Sequence, residues 1–91
     1  MSLSTVEYAK ARDTIGKMLD ELRLEAYLFE VEPAEDQVKI KVECALDGEW
    51  EAVELKFDTG LVLRAIDDPE AYRSVRERLR TAVAACLPKG G

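Results

Sequence analysis

The chain predicts an α+β domain of two layers: a four-stranded antiparallel meander in the order 1-2-3-4, with an N-terminal and a C-terminal helix on one face. Three observations carry this expectation. Apolar residues recur every three to four positions from Tyr8 to Leu22 and again from Tyr72 to Cys86. Between them, residues 26–66 follow a period of two. Within that stretch Asp47-Gly48 is a strong hairpin signal, because a type I′ turn needs positive φ at both central positions.

The first helix, over residues 4–24, opens on Ser4-Thr5-Val6-Glu7. This has the form of a capping box, with Leu3 and Tyr8 placed for a hydrophobic staple. Tyr8, Ala11, Ile15, Met18 and Leu22, widened by Leu19, make its apolar stripe. Strands follow at 26–32, 37–46, 49–57 and 61–66. Counting back from Asp47-Gly48 pairs Ala45 with Trp50, Val42 with Val53, Ile40 with Leu55 and Val38 with Phe57. A slip of one residue would turn every side chain to the wrong face, so the meeting of apolar with apolar supports this register independently of the turn.

Two further hairpins complete the expected sheet. A turn over Pro33–Asp36 pairs Val31 with Val38 and Phe29 with Ile40, and Asp58-Thr59-Gly60 with Gly60 left-handed pairs Phe57 with Leu61 and Leu55 with Leu63. The second helix, over 68–87, starts with Asp68 as N-cap and Pro69 at its first position. It buries Tyr72, Val75, Leu79, Ala82, Val83 and Cys86, and Pro88 stops it. Residues 88–91 form a short tail, and the whole chain, 1–91, reads as one domain.

The sheet face away from the helices is charged in its middle, where Lys41, Glu54 and Arg64 alternate in sign. At its end Trp50 stands among Ala26, Ala45, Ala52 and Ile66. Glu49 and Glu51 then fall on the core side, an awkward position that a bulge beside the turn would relieve by rotating Trp50 inward. The fourth strand carries only Arg64 as a charge and no Pro, so Val62 and Arg64 mark an unprotected edge.

Composition narrows the function. There is no His, and the net charge of −6 opposes binding to a phosphate backbone. That charge is uneven: −5 over residues 1–36, −2 over 37–66 and +1 over 67–91. No apolar run approaches the roughly 20 residues of a membrane span, and MSLSTVEYAK has no signal-peptide pattern, so a soluble, cytoplasmic protein is expected. Cys44 and Cys86 are too few for a disulfide scaffold and read as two reduced core thiols.

The remaining constellations have plain readings. Arg73, Arg76, Arg78 and Arg80 are balanced by Asp67, Asp68, Glu70 and Glu77 and form a solvated helix face. Glu30, Glu32, Glu35 and Asp36 lack the ligand spacing of a calcium loop. The helix–strands–helix order resembles double-stranded-RNA-binding domains in architecture alone. That family presents basic side chains at the start of its last helix, where this chain has Asp67-Asp68-Pro69-Glu70, and the assignment is rejected. Gly90-Gly91 resembles the tail of ubiquitin-like carriers, but a helix rather than a strand leads into it.

The sequence therefore points to a small non-enzymatic protein-interaction module of the adaptor, small-chaperone or regulatory-subunit kind. No catalytic, metal or cofactor residues are assigned. A protein partner or a second copy is expected through the fourth-strand edge, neither nucleic acid nor membrane is expected as a partner, and the contact residues are Trp50, Ala45, Ala52, Ile66, Val62 and Arg64. The alternative is a small-molecule-binding or minor enzymatic domain using carboxylates and Arg in a groove at the sheet end.

Overall fold

The computed structural model describes residues 3–87. Helix α1 (Thr5–Glu21) leads into strands β1 (Ala26–Pro33), β2 (Gln37–Leu46) and β3 (Glu49–Asp58), then helices α2 (Thr59–Arg64) and α3 (Pro69–Ala82) and a 3₁₀ turn at Ala84–Cys86. The sheet is three-stranded and antiparallel, in the order β1-β2-β3. The predicted stop at Pro88, the tail and the diglycine lie outside the described residues.

The capping box forms as expected: the Glu7 N–H donates to Ser4 Oγ at 3.1 Å, and the Ser4 N–H donates to Glu7 Oε1 at 3.0 Å. Ala11, Ile15, Met18 and Leu19 are buried, with Tyr8 and Leu22 packed beside them. The helix stops earlier than residue 24 because Arg23 takes φ 57°, a left-handed C-terminal exit. At Gly16 a side chain would come within 3.2 Å of the Phe29 ring, so the glycine lets α1 lie close on β1.

The β2–β3 hairpin has the expected register throughout, from Leu46 opposite Glu49 to Val38 opposite Phe57. Asp47 and Gly48 both take positive φ, 54° and 82°. The ladder is unbroken, so no bulge turns Trp50 inward. In the first hairpin the register differs by two: Val31 faces Ile40 and Phe29 faces Val42. The chain reverses more tightly than predicted, on Glu35-Asp36, where the Ala34 N–H donates to the Gln37 carbonyl at 2.8 Å. A shift of two leaves every side chain on its expected face.

The four-stranded meander is overturned. Residues 61–66, expected as the fourth strand, belong to α2 and the turn after it. Gly60 does not take positive φ, so Asp58-Thr59-Gly60 makes no hairpin loop. The run Leu61-Val62-Leu63-Arg64-Ala65-Ile66 is almost wholly apolar, which is as compatible with a buried helix as with a strand. As a helix it directs Thr59, Val62 and Ala65, three residues apart, into the core, and it places Arg64 in the last turn, where the helix dipole favours a cation.

The core lies between the sheet and these helices. Val31, Val38, Ile40, Val42, Cys44 and Phe57 meet Ile15, Met18, Leu19, Val62, Val75, Leu79 and Val83 in one cluster. The cysteines are not free thiols: Cys44 and Cys86 form a disulfide, with Cα atoms 6.1 Å apart. Cys44 sits on the covered face of β2, and the 3₁₀ turn after α3 brings Cys86 down onto it. Each position is apolar in its own element, which is what made both read as core thiols.

Candidate functional site

The antiparallel register builds the open face of the sheet row by row. Ala26, Ala45 and Trp50 form the row at the hairpin end, and Leu28, Glu43 and Ala52 form the next. Glu30, Lys41 and Glu54 follow, then Glu32, Lys39 and Lys56. The first two rows are apolar but for Glu43; the last two are entirely charged. Trp50 is 56% exposed and Leu28 64%. The third exposed large apolar residue among those described, Val6, stands apart near the start of α1.

The structure brings together three of the six sequence-predicted contact residues, Trp50, Ala45 and Ala52, and separates the other three. Val62 is buried in the core, Arg64 is exposed on α2, and Ile66 lies on the helix layer beside Tyr72 and Pro69. Leu28 was missed as a site residue. Its signal is present in the sequence, since alternation along β1 puts it on the same face as Glu30.

In the charged rows, Lys39 Nζ lies 3.2 Å from Glu32 and Lys41 Nζ lies 3.7 Å from the same carboxylate. The hydrogen bond from Lys39 and the charges of both lysines hold the Glu32 carboxyl below its ordinary value. A second polar cluster joins α1 to its neighbours. Tyr72 Oη donates to Glu21 Oε1 at 2.8 Å, Arg76 Nη1 donates to the same oxygen at 3.1 Å, and Tyr27 Oη donates to Asp20. The hydrogen bond to Asp20 pushes the Tyr27 phenol up to about 12; burial, then the bond to Glu21, pushes Tyr72 up to about 12. This cluster is a latch between elements, with every member engaged.

An open groove of about 780 Å³ runs between β3 and α3. Arg78 closes one part of it: its guanidinium lies 4.2 Å from the Phe57 ring centroid, and its Nη2 donates to the Lys56 carbonyl at 3.1 Å. The carboxylates along it, Glu54 and Glu77, are exposed. Among the described residues no group of three or more Asp, Glu, Cys or His is arranged to hold a metal ion. No protein-family model, curated protein or solved structure matches this chain.

Proposed function

We propose that this chain is a non-enzymatic protein-interaction module whose contact surface is the hairpin end of the open sheet face. The observation that carries this reading is the exposure of Trp50 and Leu28 on one face, in adjoining rows floored by Ala26, Ala45 and Ala52. Tryptophan is enriched among residues that dominate binding energy, and an indole on small neighbours offers a flat apolar area without needing a pocket. The groove beside α3 supports an enzymatic reading less well, because Arg78 is already engaged and the carboxylates there are solvated.

Two facts bear on where such a module works. Among the described residues no helix is long and apolar enough to cross a membrane. The Cys44–Cys86 disulfide is of a kind that persists in oxidising compartments, which favours such a compartment over the cytoplasm expected from sequence.

The test pairs stability with binding. Trp50→Ala should leave the melting midpoint within the range of a surface change, about 0.5 kcal/mol, while weakening partner binding by about 2 kcal/mol or more. Affinity capture with wild-type and variant baits, alongside thermal melts, reads both quantities. A variant that unfolds several degrees early, or that captures the wild-type partner set undiminished, would remove Trp50 as a contact residue.

A further inference from the structure

We infer that β3 is a self-pairing edge: two copies of this chain join β3 to β3 antiparallel, about a two-fold axis at Leu55, into one six-stranded sheet. The inference stands apart from the Trp50 surface and rests on three observations.

The first is that among the described residues β3 has no strand beyond it and aims backbone groups outward, with Arg78 covering the edge at Lys56 alone. In a two-residue hairpin closed by Leu46 and Glu49 the ladder alternates, so Trp50, Ala52, Glu54 and Lys56 direct their backbone N–H and C=O away from β2. The bond that Arg78 makes to the Lys56 carbonyl reports that outward direction, and the carbonyl keeps a second lone pair. The strand runs ten residues without Pro and without interruption of its pairing to β2. Val53 and Leu55, on the helix side of this edge, are only half-buried.

The second is charge. Lys56 lies opposite Lys39 and Glu54 opposite Lys41; among the described residues neither Lys56 nor Glu54 makes a close ion pair, Lys39 and Lys41 both reaching Glu32, although the Glu54 charge also acts on Lys39. With the axis at Leu55, Glu54 of each copy faces Lys56 of the other, on the open face and at an outward-directed backbone pair. On the helix side Leu55 stands opposite Leu55 of the second copy, and Val53 opposite Phe57, whose buried ring lies under Arg78. Moving the axis by one residue sets Glu54 against Glu54 or Lys56 against Lys56, so this register sets each Glu54 against a Lys56 of the other copy where its neighbours set like against like.

The third is the contrast with the other edge. The charges on the open face of β1 are Glu30 and Glu32, and the strand ends on Pro33, which has no N–H, so two copies of β1 would meet with like charges. In the β3 pairing, by contrast, residues 52–58 overlap while Glu49 and Glu51 stay outside it. Both open faces then lie on the same side of the joined sheet, with the two Trp50 side chains on the order of 30 Å apart by strand rise.

Charge exchange tests the register. Sedimentation velocity at about 100 µM protein should give a dimer for the wild type, with Glu54→Lys and Lys56→Glu each raising the dissociation constant about ten-fold, since the two-fold axis doubles every like-charge contact. Glu54→Lys/Lys56→Glu should restore the dimer. Both positions are exposed, so melting curves should show all three variants folded, and Trp50→Ala, outside the overlap, should still dimerise. A wild type that is monomeric at that concentration, a mass that climbs past the dimer, single variants that associate as the wild type does, or a double variant that stays dissociated would each overturn the inference.

Discussion

The two faces of the sheet are written by the same strands in alternate residues, and they have been given different work. On the covered face Val38, Ile40, Val42 and Cys44 of β2 are fully buried beneath three helices and a 3₁₀ turn. On the open face Lys39, Lys41 and Glu43, one position along, meet water, and only the hairpin end is apolar. Burial on the first face is what folding gains from. Trp50 and Leu28 gain little from folding, because they remain largely exposed in the folded chain. Apolar area that folding does not use is the kind that marks a contact surface.

The sharpest way to break this contrast is at the centre of β2. Ile40→Ala removes a fully buried side chain and should cost about 2–5 kcal/mol, whereas Lys39→Ala should cost no more than about 0.5 kcal/mol. Denaturant melts of the two variants decide it. Equal losses would mean that the faces are not distinct.

Next in size is the disulfide that ties the covered face to the end of the helix layer. It closes a loop of 42 residues, so replacing both cysteines by Ala should cost about 2–4 kcal/mol. A dithiothreitol titration of the wild type, followed by the same melts, should reproduce the loss. No difference between reduced and oxidised protein would show that packing alone holds the C-terminal segment in place.

The smallest expected effects are those of pH. Tyr27 and Tyr72 are each raised to about 12 in the folded chain, against about 10 for an unfolded phenol. Their contribution is complete below the unfolded value and lost as pH rises from there through about 12. Glu21 and Glu32 are lowered, the first by its bonds from Tyr72 and Arg76 and the second by its bond from Lys39. Their contribution is present above the ordinary carboxylate range and lost as pH falls through and below it. Tyr27→Phe should flatten part of the alkaline decline and leave the acid side unchanged, as melting midpoints across pH would record.

Which parts of this were legible in the sequence depends on whether a local rule had competition. Asp47-Gly48 had none: few sequences tolerate two positive φ angles in succession, and the turn brought with it the β2–β3 register and the outward placement of Trp50. Asp58-Thr59-Gly60 looked similar, but a glycine permits a left-handed turn without requiring one, and the apolar run behind it suited either period. What decided was tertiary: the space between α1, α3 and the sheet takes a short helix with Val62 and Ala65 inward. Losing the fourth strand removed the predicted edge at Val62 and Arg64 and moved the sheet's free border to β3. The disulfide was illegible for a related reason, because two cysteines in separate elements carry no sign of which residues the fold sets side by side.

The bond between Cys44 and Cys86 also divides the chain topologically. β3, α2 and α3 lie inside a covalent ring, whereas α1 and β1 lie outside it. A proteolytic nick anywhere in the ring, at the exposed Asp47-Gly48 turn for instance, leaves both fragments attached to each other. A nick between α1 and β1 instead leaves α1 held by packing and the Glu21 and Asp20 hydrogen bonds alone. A single cut can therefore set free the N-terminal helix alone, or that helix together with β1 when it falls in the β1–β2 turn, but nothing inside the ring of the oxidised chain.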